Sequence, residues 1–140
     1  MSTWRRKALA LFPELAKELP AGQDARHEFF WHLSLQAADA HKAIDEAALR
    51  RIHGFAEWSL HQSVELWRNA AIGFYEDLFA TVPWKEIVPW LSPFVIEQIK
   101  RTWALGIQAE KGGEFDELVR ARRDPAYQRH AFATGEIDRL

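Results

Sequence analysis

Two stretches of the chain each set a carboxylate four residues ahead of a histidine: Glu28 with His32, and Glu57 with His61. On a helix this spacing puts both side chains on one face, and His53 lengthens the second row to His53, Glu57, His61. Where two such helices face each other, the rows could hold zinc or iron. Bundle metal centres usually pair Glu with His at i to i+3 and add further carboxylates, and this chain departs from that pattern. A metal-dependent helical enzyme using Glu28, His32, Glu57 and His61 is the alternative reading. The leading reading assigns no catalytic residue, no metal ligand and no cofactor.

Other chemistries find less support. Ser34, Ser59, Ser63 and Ser92 read as helix or cap residues, and there is no Gly-x-Ser-x-Gly elbow to expose a serine nucleophile. Gly112-Gly113 lacks the Gly-Lys-Ser/Thr that completes a phosphate loop and reads as a turn. Adjacent carboxylates at Asp45-Glu46, Glu76-Asp77 and Asp116-Glu117 point to different sides of a helix. Zero cysteines remove thiol catalysis, Cys-type zinc sites and disulfides, which fits a cytoplasmic location.

Charge narrows the partners. The net charge is −2; residues 1–70 hold nine basic and nine acidic side chains, and residues 71–140 hold nine and eleven. A duplex nucleic acid needs a basic face to neutralise its phosphates, and none is indicated. The clusters Arg5, Arg6, Lys7 and Arg120, Arg122, Arg123 read as solvated helix faces. No stretch approaches the roughly 18 consecutive apolar residues of a membrane span. Leu9, Leu11 and Phe12 are interrupted by Pro13 and Glu14, so no signal-type apolar core follows the basic start.

The elements that would carry these residues are helical throughout. With 48% hydrophobic residues in 140, the chain can bury a core as one domain, and no alternating Val, Ile and Thr runs support strands. A helix over 3–19 breaks or kinks at Pro13. A second runs from Asp24 to about Ala43 with Phe29, Phe30, Leu33, Ala37, Ala40 and Ile44 inward. Asp45 caps a third, about 46–61, with Leu49, Ile52, Ala56 and Leu60 on one stripe and Phe55 and Trp58 off it. Such a second apolar patch is either sandwiched between neighbours or presented outward. Ser63 caps a fourth, 64–80, with Val64, Trp67, Ala70, Ala71, Phe74, Tyr75 and Leu78 on its apolar face. The short link between the third and fourth predicts an antiparallel hairpin, or one long bent helix.

Val82-Pro83-Trp84 and Val88-Pro89-Trp90 read as two helix starts, and Ser92-Pro93 opens another helix ending near Gly106. After Gly112-Gly113 come a short helix to about Arg123 and a final segment ordered by packing Tyr127 and Phe132, or by a partner. The expectation is an all-α, single-domain bundle of six or seven helices with a central antiparallel hairpin. Residues 1–110 form the helical core, and 111–140 a C-terminal helical extension packed on the same domain.

Seven tryptophans, nine phenylalanines and two tyrosines are more aromatic surface than a chain this size usually carries. Trp67, Phe74 and Tyr75 match a core face. Trp31, Trp58, Trp84 and Trp90 fall on secondary faces or connections, where an interface could use them or a second core layer could absorb them.

The combination Ile52-His53-Gly54-Phe55-Ala56-Glu57-Trp58, Trp67-Arg68-Asn69-Ala70-Ala71, Phe74-Tyr75-Glu76-Asp77-Leu78-Phe79 and Trp90-Leu91-Ser92-Pro93 resembles a family of small uncharacterised bacterial helical proteins. The resemblance spans about residues 8–107 and transfers no catalytic residue. In size and class, such proteins are similar to immunity proteins that neutralise a cognate secreted toxin. The resulting expectation is a non-enzymatic, cytoplasmic protein-binding module that occludes a bacterial toxin. Glu57, Trp58, His61, Glu65 and Arg68, gathered around the junction at Ser63, are its candidate contacts. A homodimeric scaffold joined by exposed tryptophans is a further alternative.

Overall fold

The computed structural model describes residues 2–16, 25–103, 113, 116, 117, 119–121 and 134–140. These residues are all-α, with no strand among them. Helix α1 (Thr3–Leu11) closes at Phe12, whose N–H donates to the Ala8 carbonyl at 2.7 Å. Pro13 then takes the first position of α2 (Pro13–Ala16), where its missing N–H costs nothing. The expected break at Pro13 is thus a helix end followed at once by a helix start.

Helix α3 (Ala25–Ala43) ends in a Schellman turn: Asp45 N–H donates to Ala40 O at 2.9 Å and Ile44 N–H to His41 O at 3.3 Å. The turn places Ile44, expected to face inward, at the surface and in the left-handed region, φ 54°, where glycine is the usual occupant, because the helix has already ended one residue earlier. Asp45 then caps α4 (Glu46–Leu60), its carboxylate accepting from Ala48 N–H at 3.2 Å. Across the turn at 61–63, the Ser63 hydroxyl caps α5 (Val64–Arg68) by accepting from Leu66 N–H.

The chain stays helical through residue 81, but Asn69–Glu76 winds as a π-helix between α5 and α6 (Asp77–Thr81). The apolar residues Leu66, Ala70, Phe74 and Leu78 lie four apart. In an α-helix each such step drifts about 40° around the axis, and the wider π turn takes up that drift. Short helix α7 (Trp84–Ile87), a 3-10 turn at Val88–Trp90 and α8 (Pro93–Trp103) follow, so Pro83 and Ser92-Pro93 do precede helices. The last helix is α9 (Thr134–Asp138). Gly106, Tyr127 and Phe132 lie outside the described residues, and Gly113 is itself helical where a turn is expected.

Helices α3, α4 and the 64–81 rod pack on one another, α4 and the rod forming the predicted hairpin; α8 lies on the π segment, and α1 and α9 on α4. Phe55, read as lying off the main stripe of α4, is at the centre of the core. Its ring meets Phe12 and Phe29 edge-on at 5.7 and 5.6 Å, and stacks on Phe30 and Trp58 at 5.9 and 5.5 Å. Each such ring contributes about 1.5–3 kcal/mol by burial and about 1 kcal/mol more by its ring contacts.

Lys7 corrects the reading of the N-terminal basic cluster as a solvated face. It is 3% exposed, and its ammonium donates to the carbonyls of Ile137 at 2.8 Å, Asp138 at 2.9 Å and Leu140 at 3.4 Å. Ile137 and Asp138 stand at the C-terminal end of α9, where a cation is favoured. Arg6 adds a bond to Leu140 O at 2.8 Å, and Ile137 is fully buried beneath. No described helix is long and apolar enough to cross a membrane.

Candidate functional site

The row His53, Glu57, His61 does share one face of α4, but its members enter three different settings. His53, nearest the hairpin's open end, is buried flat against Trp90 with ring centroids 5.7 Å apart, and its Nε2 lies 3.0 Å from His41 Nε2 on α3. Glu57, one turn on, is half-buried and accepts a hydrogen bond from the Ser92 hydroxyl, which also caps α8 by accepting from Val95 N–H. His61 closes the helix at the surface, its ring stacked on Phe94 at 4.0 Å.

Glu28 and His32 approach each other at 3.8 Å on the opposite, outward side of α3, because Phe29, Phe30 and Leu33 turn inward. The two Glu-His pairs therefore do not converge. Among the described residues no group of three or more His, Asp or Glu side chains could hold a metal ion. The predicted meeting of Glu28, His32, Glu57 and His61 fails because the apolar stripe of α3 decides which side faces α4.

The interior pair is chemically quiet. Burial lowers the His41 pKa from 6.5 to about 4, and it lowers that of His53 well below 6.5, with the neighbouring His41 acting in the same direction. Both rings are neutral near pH 7, one Nε2–H donating to the other Nε2. Tyr75, fully buried on the π segment, has its pKa raised by burial and then by the charge of Glu57, so its hydroxyl stays protonated. Neither His53 Nδ1 nor the Tyr75 hydroxyl has a hydrogen-bond partner among the described residues. Groups this enclosed join α3, α4 and the rod. His41 was not singled out by sequence reasoning; the available signal was its place on the Leu33, Ala37, His41 stripe.

The candidate contacts divide. Trp58 is corrected from an interface residue to a core residue. It is 1% exposed, its Nε1–H donates to Asp138 Oδ1 at 2.7 Å, and Lys7 Nζ sits 5.7 Å from its ring centroid. Helix α9 covers it, so the off-stripe patch of α4 is sandwiched and not presented. Glu57 faces Ser92. His61, Glu65 and Arg68 are exposed around the α4–α5 turn, and sequence reasoning missed the apolar member of their group as a surface residue, Val64, 70% exposed. Glu65 Oε2 accepts from Arg26 Nη1 at 2.8 Å, which ties α5 to the start of α3.

The remaining tryptophans also separate. Trp90 is buried on His53. Trp84 is half-buried, donating to Phe79 O at 3.0 Å, and Trp67 donates to Gln98 Oε1 at 2.9 Å. Trp31 alone of the four on secondary faces is exposed. Comparisons with family models, curated proteins and solved structures return no match, so the site stands on its geometry.

Proposed function

We propose that this chain is a non-catalytic protein-binding module whose contact surface is the corner between α4 and α5. The observation that carries the reading is Val64: a β-branched apolar side chain, 70% exposed, at the helix start that also presents Glu65 and Arg68 and adjoins the His61–Phe94 stack. An apolar centre with a charged and aromatic rim is the composition of a specific interface. The neutral, enclosed state of His41, His53 and Tyr75 supports a binding role over a catalytic one.

In its most specific form the reading makes the partner a secreted bacterial toxin, which the corner occludes, with the chain acting as its immunity protein in the cytoplasm. Support for that form is the resemblance in size, charge balance and helical class. The test is affinity capture from the source cells with the tagged chain as bait, including the product of any adjacent gene for a large secreted protein. The reading expects one stoichiometric partner, lost with Val64→Asp and weakened with His61→Ala or Arg68→Ala. Capture unchanged by all three substitutions would overturn the assigned surface.

A further inference from the structure

We infer that the outward face of α3 is a self-association surface, on which a second copy of this chain lays its own α3 antiparallel about a two-fold axis. This inference goes beyond the binding corner and involves different residues. His27, Trp31, Leu35 and Asp39 are all exposed and spaced four apart, so they form one ridge along the helix. Trp31 is 48% and Leu35 46% exposed, and they are the two exposed large apolar side chains that sit one turn apart. The Trp31 ring is braced from one side by the His32 ring at 4.9 Å.

The order of side chains along this ridge makes it complementary to itself. With the axis passing at residue 33, Trp31 of one copy lies on Leu35 of the other, and His27 of one lies beside Asp39 of the other. Each contact occurs twice, as an isologous interface requires. The two apolar contacts sit at the centre, and at both ends an imidazole N–H can donate to a carboxylate.

Among the described residues neither His27 nor Asp39 has a side-chain partner within the chain. The twelve residue steps from His27 to Asp39 span about 18 Å of helix, so they do not pair with each other in one copy. An unrelated partner would have no reason to match apolar with apolar and base with acid under reversal of the helix; a second copy meets that condition by symmetry. A ridge of one helix, about 20 Å long, covers less area than a permanent dimer, so the association is reversible and concentration-dependent.

The experiment is analytical ultracentrifugation of the untagged chain up to about 1 mM, with Leu35→Glu, His27→Asp, Asp39→Lys and the double variant His27→Asp/Asp39→Lys. All three substituted positions are exposed, and circular dichroism checks that each variant keeps its helical fold. The wild-type mass is expected to rise with concentration from 16.2 kDa towards twice that value, and Leu35→Glu to remain monomeric. Each single charge change should weaken association about tenfold because the axis repeats the pair, and the double variant, with acid and base exchanged, should recover to about the wild-type level. A wild-type monomer at about 1 mM, association that survives Leu35→Glu, or a double variant as weak as its parents would each overturn the inference.

Discussion

Acidification puts the His41–His53 pair at odds with its surroundings. An imidazole has an ordinary pKa of 6.5, while burial holds that of His41 at about 4 in the folded chain. Between these values the unfolded chain binds a proton that the folded chain refuses, so stability falls as the pH falls. The contribution is fully present above pH 6.5, is lost progressively on the way down, and is gone once the pH reaches about 4. The gap corresponds to about 3 kcal/mol for His41, and His53 adds in the same direction. Against a typical domain stability of about 5–15 kcal/mol this is a large fraction.

The assay is urea unfolding, followed by tryptophan fluorescence at about pH 7.5 and about pH 4.5, for the wild type and for His41→Leu/His53→Leu. Replacing both partners of a buried hydrogen bond by apolar groups is close to neutral at the higher pH. Every other group is common to both proteins, so the comparison isolates the pair. The wild type should therefore lose at least about 3 kcal/mol more than the double variant over this interval, His41 supplying about that much and His53 adding to it. Equal losses in the two proteins would refute the assignment of the acid sensitivity to this pair.

Three further perturbations test the packing. Lys7→Met removes the ammonium from three carbonyls at the end of the last helix and just beyond it, and should cost about 2 kcal/mol and speed amide exchange at Ile137; unchanged exchange there would contradict the capping role. Ile44→Gly relieves a β-branched residue held at φ 54° and 76% exposed, and should stabilise the fold by about 1 kcal/mol in thermal unfolding. A loss of stability would contradict the strain argument. Tyr75→Phe removes a buried hydroxyl with no partner among the described residues, and should be neutral or stabilising by about 1 kcal/mol; destabilisation beyond about 1 kcal/mol would show that the hydroxyl is bonded.

What the sequence made legible is what a few neighbouring residues decide. Asp45, Ser63 and Ser92 act on amides three residues away, so their caps follow from local chemistry. The break at Pro13 and the hairpin at 61–63 are local in the same sense. Trp58 was placed outside because its partners, Lys7 and Asp138, lie 51 and 80 residues away. Lys7 was read as solvated for the matching reason, since its carbonyls belong to a helix 130 residues on. The Glu-His pairs gave the right faces of their own helices and no information on which faces would meet. The π segment left a trace in the four-residue spacing of Leu66, Ala70, Phe74 and Leu78, but helical periodicity averages over that difference.

The proposed binding of a protein by the α4–α5 corner is tested most directly by amide hydrogen exchange on the full chain with and without its captured partner. Exchange is expected to slow chiefly at residues 61–68, with α9 and the His41–His53 region unchanged. Protection confined to other surfaces, with 61–68 exchanging as fast as in the free chain, would contradict it.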